Sequence, residues 1–279
     1  MTQIGRSNPG HTVTVPKRPD LQVTLSWSAV TDVGRKRAVN EDSFVAQSPL
    51  FAVADGMGGH SAGDIASAAV VTRLAEVIEA DFIDLDVVEH ALATAAGDIE
   101  RVSGRSALGT GTTVTGAALT LVGSDPYWAV FNIGDSRVYQ LRGRLFEQVT
   151  VDHSVVQELV DSGAITKEQA EHHPDSNVIT RAIGFNEIPA PDLWMIPVSE
   201  GLRLMICSDG LTKELSDDDI RATMVAGDPA RETARELVDA ALRRGGRDNV
   251  TVVVVDIVST SSEFDLDQTV PRRGTGRHS

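Results

Sequence analysis

Asn40-Glu41-Asp42-Ser43-Phe44-Val45-Ala46-Gln47-Ser48-Pro49-Leu50-Phe51-Ala52-Val53-Ala54-Asp55-Gly56 reads as two short strands around a turn at Gln47-Ser48-Pro49. Asp42 and Asp55 stand equally far from the turn centre. A hairpin brings the residue entering its first strand and the residue leaving its second to the same end, so both carboxylates emerge at one rim. The same geometry recurs near the C-terminus. Asp209 follows the apolar run Leu202–Cys207 and Asp248 precedes the run Val250–Ile257, so antiparallel pairing carries these two to one edge as well. Asp135, in Asn132-Ile133-Gly134-Asp135-Ser136-Arg137, ends a third strand. A single Asp-Gly is ordinarily a turn, because Asp caps local backbone and Gly accepts positive φ. Several carboxylates at one rim are different: they repel one another unless cations neutralise them. Hard divalent ions such as Mg²⁺ or Mn²⁺ suit an all-oxygen set, and no Cys/His spacing typical of zinc competes.

Outward from this stretch, the runs Gln22–Ala29, Thr112–Leu121, Tyr127–Asn132 and Arg137–Leu141 add further strands, rich in β-branched and apolar residues. Their short connections favour antiparallel pairing, since a parallel pair needs a crossover of about a dozen residues or more. Helical patterns come in pairs, Ser61–Glu79 with Leu85–Val102, and Asp217–Val225 with Pro229–Arg243. Val88, Leu92, Ala95, Ile99 and Val102 form one apolar stripe of the first pair. The class expected is α+β, with packed sheets covered by helices.

The chain has 279 residues, 41% hydrophobic and 23% charged, enough for one substantial core. Residues 1–20 read as a flexible leader, 21–259 as a folded domain and 260–279 as a disordered tail. Forty acidic against 25 basic residues give a net charge of −15, which argues against nucleic acid and anionic membrane as partners. Cys207 is the one cysteine, so no intrachain disulfide forms, and Leu204, Met205 and Ile206 before it suggest a buried strand position. A reducing, cytoplasmic location is expected. Met1–Pro19 lacks the apolar stretch of a signal peptide, and Val250–Val255 is too short to span a bilayer, so no membrane anchor is expected.

Six segments in order resemble the PPM family, the type 2C metal-dependent protein serine/threonine phosphatases, in its bacterial branch. They are Thr31-Asp32-Val33-Gly34 with Arg37 and Asn40-Glu41-Asp42; Val53-Ala54-Asp55-Gly56-Met57-Gly58-Gly59-His60; Gly111-Thr112-Thr113; Ile133-Gly134-Asp135-Ser136-Arg137; Cys207-Ser208-Asp209-Gly210-Leu211; and Gly246-Arg247-Asp248-Asn249-Val250-Thr251. The resemblance implies a four-layer α-β-β-α sandwich of two antiparallel sheets flanked by helix pairs, with a dinuclear site at one end. It further implies that Asp55 bridges two Mn²⁺ or Mg²⁺ ions, that the Gly56 carbonyl completes one site, and that Asp209 and Asp248 bind the other ion. Asp135 would help Asp209 hold a third ion. Glu41, Asp42 and Thr113 would orient metal-bound waters. Two cations about 3.5–4 Å apart make a bridging hydroxide available for in-line attack on phosphorus, and Arg37 would hold the phosphate oxygens with its planar fork. The partners implied are phosphorylated proteins, substrates of Ser/Thr kinases and the kinases themselves.

Other features leave alternatives open. His60 titrates in a range suited to a general acid, yet it equally caps the helix starting near Ser61, and a metal-bound water could donate the proton instead. The segment Thr150-Val151-Asp152-His153-Ser154 through Asn177-Val178-Ile179-Thr180-Arg181 resembles a flap beside the active site; it also reads as a helical insertion with His172 and His173 solvated. A cysteine-based phosphatase needs an arginine six residues after its nucleophile, where this chain has Lys213. A metal-dependent nuclease should carry basic tracks. A pseudophosphatase should lack a metal ligand, and here every expected position is filled. Thr269, in the acidic stretch Glu263–Arg272, resembles a kinase site.

Overall fold

The β-branched and aromatic runs form strands and the three-and-four-spaced stripes form helices, in a computed structural model that describes residues 1–58, 62–103, 109–170, 173–185 and 190–262. In chain order the first elements are β1 (Gln3–Gly5), β2 (Asn8–Val15), β3 (Arg18–Asp32), β4 (Asp42–Gln47), β5 (Leu50–Gly58), α1 (Ala62–Glu76) and α2 (Leu85–Ser103). The middle holds β6 (Thr110–Thr112), β7 (Val114–Val122), β8 (Asp125–Ile133), β9 (Arg137–Arg142), β10 (Leu145–Gln148), α3 (Val155–Asp161) and α4 (Lys167–Ala170). Last come β11 (Asp192–Pro197), β12 (Leu202–Cys207), α5 (Asp209–Thr212), α6 (Asp217–Met224), α7 (Ala230–Arg244) and β13 (Val250–Ser262).

Two sheets result, ordered β1-β4-β5-β7-β8-β11, with β6 joined to β5, and β10-β9-β12-β13-β3-β2. The period of two along each strand sorts side chains between layers. Phe51 and Val53 face the other sheet, while Leu50, Ala52 and Ala54 meet Val70, Leu74, Val88, Leu92 and Ile99 of α1 and α2. On β13, Val253, Val255 and Ile257 point inward, while Val250, Val252 and Val254 pack with Ile220 and Leu237 of α6 and α7. Between the sheets, Trp27, Phe51 and Trp128 make successive edge-to-face contacts at 5.3 and 5.9 Å. Four layers, helix, sheet, sheet, helix, follow from this alternation.

Four expectations are corrected. Residues 1–20 are not a loose leader: β1 pairs with β4, β2 pairs with β3, and Val13 and Val15 are buried between the sheets. Pro9 falls on the sheet-edge strand β2, where a strand tolerates it, and Pro16 in the turn beyond it. The β1–β4 pair is also parallel, because the β2–β3 hairpin in the opposite sheet supplies the crossover. Residues 260–262, expected in the tail, belong to β13, which runs to Ser262; Thr269 lies outside the described residues. The apolar stripe of α2 ends a turn early, with Val102 65% exposed.

Strand direction then sets the rim. Asp42 pairs with Asp55 in register. Cys207 stands opposite Val252 on one side and Arg137 on the other, so Asp209, Asp248 and Asp135, each just beyond one of these strand ends, leave the second sheet at one end.

Candidate metal centre

Asp55 is fixed through its backbone: its N–H donates to Thr113 Oγ1 at 3.2 Å, and its carbonyl accepts from Thr113 N and Thr112 Oγ1, each at 2.9 Å. Gly56 must be glycine because a Cβ there would fall 2.1 Å from the carbonyl oxygen of Gly63 in α1. Asp42 is fully buried, with Oδ2 accepting from Ser208 Oγ at 2.8 Å and Thr251 Oγ1 at 2.6 Å. Its Oδ1 is buried without a partner among the described residues, as is Oδ1 of Asp209.

The loop bearing Arg37 and Glu41 is pinned by Asn249, whose Oδ1 accepts from Glu41 N–H at 2.8 Å while Nδ2 donates to the carbonyls of Val33 and Val39. Arg37 reaches Asp248 with both arms of its fork, Nε to Oδ1 at 2.8 Å and Nη2 to Oδ2 at 2.9 Å. Lys213 Nζ ion-pairs with Asp209 Oδ2 and lies 3.4 Å from Asp248 Oδ2.

Charge crowding shows in the acidities. Burial, opposed by hydrogen bonds from Thr251 and Ser208, leaves the Asp42 carboxyl pushed up to about 7. Burial and the neighbouring charges of Asp42, Asp209 and Asp135 drive Asp55 well above the usual carboxylate range. Asp135 is pushed up to about 7 by burial, then by Asp209 and Asp152. Glu41 is raised chiefly by burial. Asp248 goes the other way: burial raises it, but Lys213 and Arg37 outweigh that and hold it low.

Among the described residues no three acidic, histidine or cysteine side chains already close on one point. The donor set nonetheless fits cations, because two carboxylate oxygens are buried and orphaned and three acids are raised by burial together with the charges of neighbouring aspartates. Asp209 and Asp248 are meanwhile turned onto Lys213 and Arg37, which accounts for the open arrangement.

Sequence reasoning set Asp42 beside Asp55 and Asp248 beside Asp209, with Asp135 ending a third strand; the structure pairs Asp42 with Asp55 in register and leaves Asp209, Asp248 and Asp135 at one end of the second sheet. Sequence reasoning did not assign roles to Asn249, Ser208 or Thr251, whose contacts depend on long-range packing. Lys213 it noted merely as a mismatched residue, although the spacing of four from Asp209 was a signal that the two could meet across a helical turn. Cys207 is fully buried and its thiol is pushed up to about 12 by burial, which excludes it as a nucleophile. His60 and His172 lie outside the described residues. The flap-like segment carries α3 and α4, and His153 ties it to the Asp135 turn: its N–H donates to Gly134 O at 2.9 Å, and its Nδ1 accepts from Gly134 N–H at 3.1 Å.

The protein phosphatase 2C family profile matches residues 34–246. This chain belongs to the protein phosphatase 2C family. The serine/threonine protein phosphatase PstP of Mycobacterium tuberculosis is 40% identical over 255 residues, covering 89% of this chain and 47% of that protein, so the chain spans about half the relative's length. The crystal structure of the Mycobacterium tuberculosis serine/threonine phosphatase PstP/Ppp superposes with a TM-score of 0.76 at 38% identity, over 85% of this chain and 100% of that one. The PstP catalytic domain in complex with two manganese ions gives 0.74 at 39% identity, over 86% and 100%. In this protein phosphatase 2C chain, β1 and β2 precede the profile match and Asp248 follows it, so the position of Asp248 at the rim rests on the β12–β13 pairing.

Proposed function

We propose that the chain is a metal-dependent protein serine/threonine phosphatase that hydrolyses phosphoserine and phosphothreonine in proteins. One observation carries the reading: the carboxylates of the buried Asp42 and the half-buried Asp55, Asp135, Asp209 and Asp248 gather at one end of the sandwich, those of Asp42 and Asp209 each with an orphaned oxygen, beside the exposed fork of Arg37. Asp55, the Gly56 carbonyl, Asp209 and Asp248 would hold two ions, and Asp135 with Asp209 a third. When bound, such ions acidify a coordinated water and neutralise charge on phosphoryl oxygens. Manganese is supported by the two ions in the PstP catalytic domain.

The remaining residues bind and orient. Arg37, whose side chain is 51% exposed, presents planar donors that match the oxygens of a phosphate. Ser208 and Thr251 occupy Oδ2 of Asp42, leaving Oδ1 to accept from a water and fix its direction. Phosphoproteins made by Ser/Thr kinases, and the kinases themselves, are the partners we infer. Cytoplasmic residence is inferred from the single buried thiol. Among the described residues no helix is long and apolar enough to cross a membrane.

The test is phosphate release from a phosphothreonine peptide with Mn²⁺ and with EDTA. Manganese-dependent turnover, abolished by EDTA, is the expected result; its absence contradicts the assignment.

A further inference from the structure

The Asp-Gly turn at Asp209 opens the single-turn helix α5, and Lys213 caps its C-terminal end. A step of four residues in a helix returns a side chain over its origin, which is why the Lys213 ammonium lies against Asp209. It also reaches Asp248, from the other strand of the β12–β13 pair, at 3.4 Å. Among the described residues, Lys213 and Arg37 are the cationic side chains in ion-pair contact with the five rim carboxylates, and of these two Lys213 touches both Asp209 and Asp248. Its side chain is 32% exposed. Burial disfavours its charge, but Asp209 and Asp248 outweigh burial, so the ammonium stays protonated. The same charge opposes burial and repulsion at Asp55 and Asp135.

The oxygens of these two aspartates are largely spoken for. Asp248 Oδ1 accepts from Arg37 Nε and Asn249 N–H, Asp248 Oδ2 meets Arg37 and Lys213, and Asp209 Oδ2 meets Lys213. Asp209 Oδ1 has no partner among the described residues, so an ion that takes it together with Asp248 Oδ2, or with Asp209 Oδ2, meets the ammonium there.

We propose that Lys213 is an internal counter-cation: it holds Asp209 and Asp248 together in the metal-free chain, yields their oxygens when a divalent ion enters, and so sets the affinity for metal. This rests on the reading of Asp209 and Asp248 as ligands. A unit positive charge within a few ångströms of a divalent ion, at the effective dielectric of a protein rim, weakens binding by about tenfold or more. In exchange, the metal-free rim is spared the bare repulsion of its carboxylates.

The test is Mn²⁺ titration calorimetry on wild type, Lys213→Met and Lys213→Arg, paired with thermal unfolding of each in EDTA. Lys213→Met is expected to bind Mn²⁺ about tenfold or more tightly than wild type while its metal-free melting temperature falls, and Lys213→Arg to keep wild-type affinity. Lys213→Gln, uncharged but still a donor, gives the same comparison should the Met variant not fold. Unchanged or weaker Mn²⁺ binding by the uncharged variants overturns the counter-cation role. Failure of wild type to bind Mn²⁺ at all is a different result and overturns the metal-centre reading beneath it.

Discussion

At Asp55 the cost and the use of the rim coincide. Burial and three neighbouring carboxylates oppose its ionisation, so in the metal-free chain this charge is a liability that function retains. Asp55→Asn is therefore expected to unfold in EDTA at or above the wild-type temperature while losing manganese-dependent turnover; a clearly lower melting temperature would show that the carboxylate is needed for folding. Asp42 and Asp135 carry the same strain into pH dependence. Their folded carboxyls titrate at about 7, against about 3.9 for an unfolded aspartate. Between those values the folded chain binds more protons than the unfolded one, so stability falls as pH rises. The metal-free melting temperature is expected to decline from pH 5 to pH 7, and Asp42→Asn to flatten that slope. Asp42 and Asp55 were legible because a hairpin makes register a matter of counting. Lys213 was not, because its meaning depends on Asp248, 35 positions away, arriving on the adjacent strand.

Elements hold this rim through close backbone approaches. Gly210, at the start of α5, lies so near the β13 entry that a Cβ would fall 1.9 Å from Asn249 O, and a Cβ on Gly34 would fall 2.2 Å from Asp248 O. Gly210→Ala is expected to cost stability at the upper end of the roughly 1–3 kcal/mol typical of overpacking. It should also weaken Mn²⁺ binding, read by denaturant unfolding in EDTA and by calorimetry. Normal stability would mean that α5 can move away. The long strands and the helices α1, α2, α6 and α7 were readable from period alone, since each buries a full face. The short β10, β11, α3 and α4 were not: with 4 to 7 residues each they show too little of a pattern. β2 begins Asn8-Pro9-Gly10, whose local message is a turn, although Val13 and Val15 alternate correctly for an edge strand that seals the inter-sheet core.

For the whole molecule, two sheets locked by Trp27, Phe51 and Trp128 form a rigid frame whose one end concentrates charge. The net −15 does not say where charge sits; what distinguishes the rim is the desolvation of Asp42, Asp55 and Asp135, a property of packing that composition does not reveal. Hairpin and antiparallel pairing were legible in the sequence, and with them the pairs Asp42 with Asp55 and Asp209 with Asp248. The cations that meet them in the metal-free state emerged from the folded chain. Ions bound to this end should stabilise the fold by mass action, about 2.7 kcal/mol for one site at a hundred times its dissociation constant. The central claim, that this end of the sandwich is a divalent metal centre, is tested most directly by anomalous diffraction at the manganese edge from crystals grown with Mn²⁺. The expected result is at least two anomalous peaks, coordinated by Asp55, the Gly56 carbonyl, Asp209 and Asp248; a map with no peak at these residues, or with manganese bound elsewhere, would contradict it.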